Sequence, residues 1–252
     1  MKLFYKAPLI GTVMLGAVTL ATGCKSYNDV TAHYSSKHIK ANKNQIRAQI
    51  PEVTELGYIV LALTDAGKNY VNTNSPYYDE VVKHFAAFKN HKAVETLNED
   101  LKESPETFTH FRNGLFAFMI NKQNRIVVKT DYRIDLNRVD FRRYTAALND
   151  FMEDSKFREF YAAHKSFYSK MEAAQSQSLS MTSAWSTVGK NKNYTKPFQS
   201  YQVIMSPLMK GESSTLAISG RGFSECLIFA ESTDKALASA SDIKVAANSI
   251  ND

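Results

Sequence analysis

Cysteine is scarce in this sequence, since the 252 residues include only Cys24 and Cys226. Two cysteines cannot form the disulfide framework of a small secreted scaffold. Glycine and proline are also few, at 10 and 6 residues, which excludes collagen-like and low-complexity chains. The chain does have 44% hydrophobic and 12% aromatic residues. That content suffices to bury the core of one large domain or two small ones.

A strong excess of positive charge is absent as well. The formal net charge is +6, and the lysines and arginines are scattered along the chain. Proteins that bind nucleic acid concentrate their basic residues on one face or along one helix. We therefore predict no nucleic-acid partner.

The first 20 residues have the pattern of a secretion signal. Lys2 and Lys6 provide a short positive region, and residues 7–20 form an uncharged, mostly apolar stretch. At about 14 residues, this stretch is too short for a transmembrane helix, which needs roughly 20. A positive start followed by a short apolar region is typical of a signal peptide.

The signal ends in Leu20-Ala21-Thr22-Gly23-Cys24, which resembles the lipobox of bacterial lipoproteins. The resemblance implies cleavage after Gly23, attachment of diacylglycerol to the Cys24 sulfur and acylation of the new amino group. These acyl chains would hold the protein firmly on a membrane, because two lipid signals already give stable anchoring. The alternative is an ordinary secretory signal with a chance cysteine at this position.

The residues after Cys24 indicate which membrane is involved. Lys25 stands where an aspartate would retain a lipoprotein in the inner membrane of enteric bacteria. The acidic cluster that some Gram-negative bacteria use for surface export is also absent, since Asp29 is the only acidic residue among 25–29. We therefore expect a cell-envelope protein, lipid-anchored in the outer membrane and facing the periplasm. Surface exposure is the less favoured alternative.

Composition divides the chain into three parts. We predict a signal peptide over 1–23, the lipidated cysteine with a polar tether over 24–45, and a single α+β domain over 46–252. The tether is predicted from its lysine, asparagine and serine content, which is typical of flexible linkers. Within the domain we expect a helical region over 46–175, a strand-rich region over 199–230 and a loose tail over 235–252.

The α+β class follows from the spacing of apolar residues. Helical spacing begins near Pro51 and after Ser75-Pro76, and recurs over 93–102, 138–153 and 156–173. Short apolar runs predict a hairpin over 114–129 and strands at 201–205, 215–218 and 225–229. Short connections between the last three strands favour antiparallel pairing. We therefore predict a helical N-terminal part with a β-hairpin, followed by a small antiparallel sheet.

Two features have both a structural and a functional interpretation. An aromatic stripe at helical spacing favours core packing over a cofactor-binding surface, and comprises Phe157, Phe160, Tyr161, His164, Phe167, Tyr168 and Met171. Cys226 lies in the apolar run 226–230. We interpret it as a small buried hydrophobe, with a nucleophilic or redox thiol as the alternative.

No recognisable catalytic motif is present. The six histidines include no His-Glu-x-x-His pair, and no Gly-x-Ser-x-Gly elbow occurs. Gly220-Arg221-Gly222 lacks the remaining glycine and the Lys-Ser/Thr of a phosphate-binding loop. Glu80 and His84 are spaced to share a metal ion on one helix face, but a surface pair is the favoured interpretation. We therefore predict no catalytic residue, no metal ligand and no cofactor.

Three stretches behind the lipobox form a recognisable combination. They contain Ser75-Pro76-Tyr77-Tyr78-Asp79, Asn149-Asp150-Phe151 and Ser206-Pro207-Leu208-Met209. In this order they resemble a "domain of unknown function" family of lipoproteins from Gram-negative bacteria, over about residues 50–230. Longer members of that family look like zinc metallopeptidases, with a metal-binding helix after the segment that matches about 223–229. No residue here matches the metal-binding motif, so none is assigned.

The resemblance leaves two hypotheses. The first is a non-enzymatic binding or envelope module, attached to the membrane through its lipid, whose protein or glycan ligand the sequence does not identify. The alternative is a truncated zinc metallopeptidase-like protein that lacks its metal-binding helix. An in-frame continuation beyond Asp252 that encodes such a helix would favour the second hypothesis, and a stop codon would favour the first.

Overall fold

The computed structural model describes residues 29–129, 132–134, 141–189, 194–210 and 214–230. Its strands are β1 (Asp29–Tyr34), β2 (Gln45–Gln49), β3 (Phe118–Ile120), β4 (Ile126–Val128), β5 (Tyr132–Ile134), β6 (Ser200–Ile204), β7 (Ser214–Gly220) and β8 (Phe223–Phe229). Its helices are α1 (Ser36–Asn42), α2 (Glu52–Leu63), α3 (Pro76–His84), α4 (Lys92–Glu103), α5 (Glu106–Phe116), α6 (Arg142–Asp154), α7 (Phe157–Ala163), α8 (Lys165–Gln177) and α9 (Met181–Val188). No helix within these ranges has the length and apolar character needed to span a membrane.

Six strands form a mixed sheet in the order β2-β6-β8-β7-β1-β5. The parallel pairs are β2 with β6, β6 with β8, and β1 with β7. The antiparallel pairs are β7 with β8 and β1 with β5, and β3 pairs with β4 in a separate hairpin. The α+β class, the hairpin and the strand-rich C-terminal region are thereby confirmed. The predicted start of the hairpin is wrong, since residues 114–116 form the last turn of α5 and β3 begins at Phe118.

The pairing of the last three strands differs from the expected one in one respect. β7 and β8 are antiparallel, as predicted, and are joined by Arg221 and Gly222, which both have positive φ angles (50° and 73°). Two residues with positive φ are the signature of a type I′ turn, whose twist suits a hairpin. β6, however, pairs in parallel with β8, which lies between β6 and β7 in the sheet. The sheet is therefore mixed, and β1 and β2 from the N-terminal region enlarge it.

The polar tether predicted over 24–45 is wrong for most of its length. Within that range lie β1, which pairs with β7 and β5, and α1. Ala32 and Tyr34 are buried, and the Tyr34 hydroxyl donates a hydrogen bond to the Ile218 carbonyl. Because alternate residues of a strand point to opposite faces, the segment can place these two in the core while its overall composition stays polar.

The described domain thus begins at Asp29 rather than near residue 46. Residues 25–28, between Cys24 and β1, are not among the described residues. Three further predicted features also lie outside them: the signal peptide over 1–23, Cys24 itself and the loose tail over 235–252.

The predicted starts of two helices are confirmed. α2 begins directly after Pro51. The Ser75 hydroxyl caps α3 by accepting the Tyr78 N–H at 3.1 Å, and Pro76 occupies the first turn, where it needs no hydrogen-bond partner for its nitrogen. The helices predicted over 93–102 and 138–153 correspond to α4 and α6.

α2 is the central helix of the N-terminal part. Residues 53–63 are all buried, which is typical of a helix enclosed on every side. α2 contacts α3, α4, α5 and α6 as well as β3. At Gly57 the backbone approaches α5 so closely that an added Cβ would lie 2.5 Å from Leu115 Cδ2. The absence of a side chain at Gly57 therefore sets how closely α2 and α5 pack.

The helix predicted over 156–173 is two helices, α7 and α8, which meet at His164. The His164 Nδ1 atom lies 2.8 Å from the Phe160 carbonyl oxygen, and Nε2 lies 3.0 Å from a carboxylate oxygen of Glu80 on α3. These contacts hold the imidazole at the junction. The core role of the aromatic stripe is confirmed, since five members are buried and Tyr161 and Phe167 are half-buried; the buried ones are Phe157, Phe160, His164, Tyr168 and Met171.

Candidate functional site

A cleft of about 410 Å³ opens between the turn of the β3–β4 hairpin and the junction of α6 with α7. From the hairpin it is lined by Gln123, Asn124 and Arg125. From the helices it is lined by Met152, Glu153, Lys156, Arg158 and Glu159. Small-molecule sites usually enclose about 300–1,000 Å³, so the cleft has the size of a site for a small ligand.

The hairpin side of the cleft is a rigid turn. The Asn121 side-chain oxygen accepts the backbone N–H groups two and four residues further on, at 3.0 and 2.9 Å. Asn124 has a positive φ of 57°, a conformation that asparagine tolerates. The Ile126 N–H donates to the Asn149 side-chain oxygen at 2.9 Å and so ties the hairpin to α6. Residues 123–125 are therefore held in place by hydrogen bonds at both ends of the turn.

The helical side of the cleft is shaped by a left-handed residue. Lys156 has φ 53° and ψ 37°, which is uncommon for a residue other than glycine. The Ser155 N–H ends α6 by donating to the Phe151 carbonyl, and the chain then turns sharply through Lys156. As a result the Phe157 ring is buried in the core, while the Lys156 side chain is exposed at the cleft.

Arg158 joins the two sides of the cleft. Its Nε atom lies 2.8 Å from Glu52 Oε1 at the start of α2, and its Nη1 atom hydrogen-bonds with the Asn124 side-chain oxygen. The guanidinium therefore links α2, α7 and the hairpin turn. Because two partners already hold this half-buried side chain, its orientation at the cleft is set before any ligand arrives.

The remaining charged residues at the cleft are exposed. They are two cations, Arg125 and Lys156, and two carboxylates, Glu153 and Glu159. None of the four forms an ion pair with another described residue. Guanidinium groups bind carboxylates and phosphates through paired hydrogen bonds, and carboxylates accept hydrogen bonds from hydroxyls. The cleft therefore offers a small polar ligand both cationic hydrogen-bond donors and anionic acceptors.

A buried carboxyl, Glu55, lies in the core rather than in the cleft. It is 0% exposed and accepts a hydrogen bond from the Tyr77 hydroxyl at 2.7 Å. The Tyr77 oxygen in turn lies 2.6 Å from the Tyr168 hydroxyl oxygen. Burial raises the pKa of Glu55 to about 7, although hydrogen bonds from Tyr77 and Ser206 act in the opposite direction. Because no part of this carboxyl reaches the surface, its role is internal.

A second buried carboxyl, Glu225, links α1 to the sheet. Its Oε2 atom accepts hydrogen bonds from the Ser200 hydroxyl at 3.2 Å and the Gln202 side-chain amide at 2.9 Å. His38 Nε2 of α1 lies 3.4 Å from the same oxygen, and Gln202 also hydrogen-bonds with Gln49 of β2. Polar side chains thus cross from β2 through β6 to β8.

Cys226, next to Glu225, has the environment of a buried hydrophobe. Its side chain is 0% exposed, in the middle of β8. Burial raises the pKa of the Cys226 thiol to about 12, and the nearby Glu225 carboxyl acts in the same direction. The thiolate is the reactive form of cysteine, and this environment disfavours it. The structure therefore supports the structural interpretation of Cys226 over the nucleophilic one.

The structure does not bring the candidate metal-binding pair together at a site. Glu80 contacts His164, whereas His84 packs its ring against Phe160, with centroids 4.8 Å apart. Within the described ranges, no group of three or more His, Cys, Asp or Glu side chains is arranged to hold a metal ion. Cys24 and Gly23, the predicted lipidation and cleavage positions, are outside those ranges.

The cleft itself was not predicted from the sequence. The polar turn was recognised as a hairpin loop, but Lys156 fell at the start of a predicted continuous helix. Nothing in the local pattern indicates that Lys156 lines the same cleft as Asn124, which lies 32 positions earlier in the chain. The one available signal was the polar, asparagine-rich composition of 121–124.

No protein-family model matches the chain, and neither a curated protein nor a solved structure is detectably similar to it. The resemblance to the lipoprotein family therefore stays a prediction that rests on the quoted stretches and the lipobox. The function is accordingly inferred from the N-terminal signal and from the geometry of the cleft.

Proposed function

We propose that this protein is a lipid-anchored lipoprotein of the bacterial envelope, and that its folded domain is a binding module rather than an enzyme. The observation that carries the proposal is the lipobox ending at Cys24, shortly ahead of a folded domain whose described part begins at Asp29. The anchor attaches the protein to the outer membrane, where the domain faces the periplasm. The lipid makes the membrane one binding partner of the protein. The cleft between the β3–β4 turn and the α6–α7 junction binds a second partner, a small ligand.

The short distance along the chain from Cys24 to β1 sets how far the domain stands from the membrane. Only residues 25–28 separate them. An extended chain spans at most about 3.6 Å per residue. The Cα atom of Asp29 at the start of β1 therefore lies within about 18 Å of the Cα atom of Cys24. The anchored domain therefore stays close to the bilayer, joined to the lipid through the N-terminal end of β1.

Replacing Cys24 with serine is expected to abolish lipidation. In a Gram-negative host supplied with radiolabelled palmitate, the wild-type protein takes up label and the Cys24→Ser variant does not, because serine lacks the sulfur that accepts diacylglycerol. Cys226→Ser is the matched control and should label like the wild type, since that thiol is buried. Equal labelling of wild type and Cys24→Ser would disprove the anchor.

A zinc-dependent enzyme is the competing proposal, and it makes the opposite prediction for this chain. We expect the purified protein to retain no stoichiometric zinc by elemental analysis and to show no chelator-sensitive cleavage of casein. The reason is that no histidine pair has the spacing of a peptidase zinc site. One zinc ion per chain that survives dialysis would show that this chain has a metal site of its own and would favour a zinc enzyme over the binding module.

A further inference from the structure

We propose that the cleft between the β3–β4 turn and the α6–α7 junction binds a small hydroxylated anion, of the sugar-acid or sugar-phosphate class. This inference rests on the proposed binding function and names its ligand chemistry. It does not depend on the lipid anchor, because the cleft residues all lie between 123 and 159.

Two cations of the lining, Arg125 and Lys156, are the reason to expect an acid group on the ligand. Arg158 is already oriented by Glu52 and Asn124, so it loses little freedom when a ligand binds. Arg125 and Lys156 have no ion-pair partner among the described residues. An acid group of the ligand would therefore gain charge-assisted hydrogen bonds without breaking existing ion pairs at these two side chains.

The hydrogen-bond acceptors that line the cleft are the reason to expect hydroxyl groups on the ligand. Glu153 and Glu159 would repel a densely charged anion, but each carboxylate can accept hydrogen bonds from hydroxyls. The Gln123 amide can both donate and accept. Met152 adds an apolar contact for the carbon–hydrogen face of a ring. One acid group together with several hydroxyls is the combination that satisfies both kinds of lining residue.

The cleft is formed before the ligand binds. Its two sides carry the left-handed residues Asn124 and Lys156, and Asn149 fastens the hairpin to α6. Left-handed residues other than glycine persist where the surrounding structure holds them, and they concentrate at functional sites. A preformed site spends less binding free energy on ordering its own side chains.

Binding is tested by isothermal titration of the full-length protein in mild detergent with glucuronate, glucose 6-phosphate and neutral glucose. We expect one or both acids to bind at least about tenfold more tightly than glucose, because charged hydrogen bonds contribute about 1.5–3 kcal/mol. The acid that binds more tightly identifies the ligand's acid group as a carboxylate or a phosphate.

Two variants of exposed cleft residues locate the site. Arg125→Gln and Lys156→Asn should each weaken acid binding about tenfold, and asparagine retains the left-handed conformation that position 156 requires. Lys37→Gln, an exposed lysine of α1, is the control and should bind like the wild type. Unchanged thermal unfolding of the variants shows that they fold.

The proposal is overturned if neither acid binds more tightly than glucose, or if both cleft variants bind as tightly as the wild type. Those outcomes leave the lipid anchor intact whenever Cys24 labels with palmitate. Conversely, failure of Cys24 to label removes the anchor and leaves acid binding to be judged on its own result.

Discussion

Replacing Phe160 with alanine is expected to destabilise the domain by about 3–5 kcal/mol, a large part of the roughly 5–15 kcal/mol that stabilises a typical domain. The Phe160 ring is 4% exposed. It packs against four other rings, those of Tyr77, His84, Phe85 and His164. Alanine would leave a cavity between α7 and α3, because the surrounding rings cannot all move into the space. Denaturant unfolding followed by circular dichroism measures the loss.

Lys170→Ala on α8 is the control for this experiment. Lys170 is partly exposed and makes no hydrogen bond, ion pair or ring contact with another described residue. Its truncation should change the free energy of unfolding by less than about 0.5 kcal/mol. If Phe160→Ala unfolded at the same denaturant concentration as the wild type, the aromatic stripe would not be part of the core.

Replacing Glu55 with glutamine is expected to change the free energy of unfolding more favourably at pH 8 than at pH 5. Burial raises the pKa of Glu55 from its usual 4.5 to about 7. The stabilising contribution of the protonated carboxyl is therefore complete below about pH 4.5 and is lost as the pH rises through about 7. At pH 8 the wild type must hold a buried carboxylate, whereas glutamine stays neutral and can still accept the Tyr77 hydrogen bond.

The size of this effect follows from the pKa difference. Each pKa unit corresponds to about 1.4 kcal/mol, so the stability difference between variant and wild type should change by about 3 kcal/mol from pH 5 to pH 8. Urea unfolding at both pH values measures it. Glu99→Gln, an exposed glutamate of α4, should show no such change. A Glu55→Gln effect that is the same at both pH values would mean that Glu55 does not titrate in this range.

The sequence by itself determined the elements whose signals are local. Ser75 and Pro76 begin α3 because a hydroxyl can cap the first N–H groups and proline needs no partner there. Apolar spacing identified α2, α4 and α6, and short apolar runs identified β6, β7 and β8. These patterns are readable because each depends on neighbours only a few residues away.

Such local patterns do not predict which strands pair over long distances in the sequence. The lysine, asparagine and serine content of 24–45 predicts a tether, whereas the structure pairs β1 with β7 and β5 and buries Ala32 and Tyr34. β6 pairs with β2 about 155 positions earlier in the chain and with β8 after it, and both pairs are parallel. Parallel partners are joined by long connections, so no local feature specifies which strands become neighbours.

Only the tertiary structure shows that residues of the β3–β4 turn and of the α6–α7 junction line a common cleft. Its charges come from a hairpin turn and from a helix junction that the packing of α6 and α7 brings together. The left-handed conformation of Lys156 turns the chain directly after α6 ends, so that Phe157 is buried while Lys156 stays exposed. Residue types at separate positions are visible in a sequence, whereas their distance in space is set by the burial of other residues. The lipobox predicted at Cys24 is the opposite case, since a signal of that kind is read as a contiguous stretch of chain.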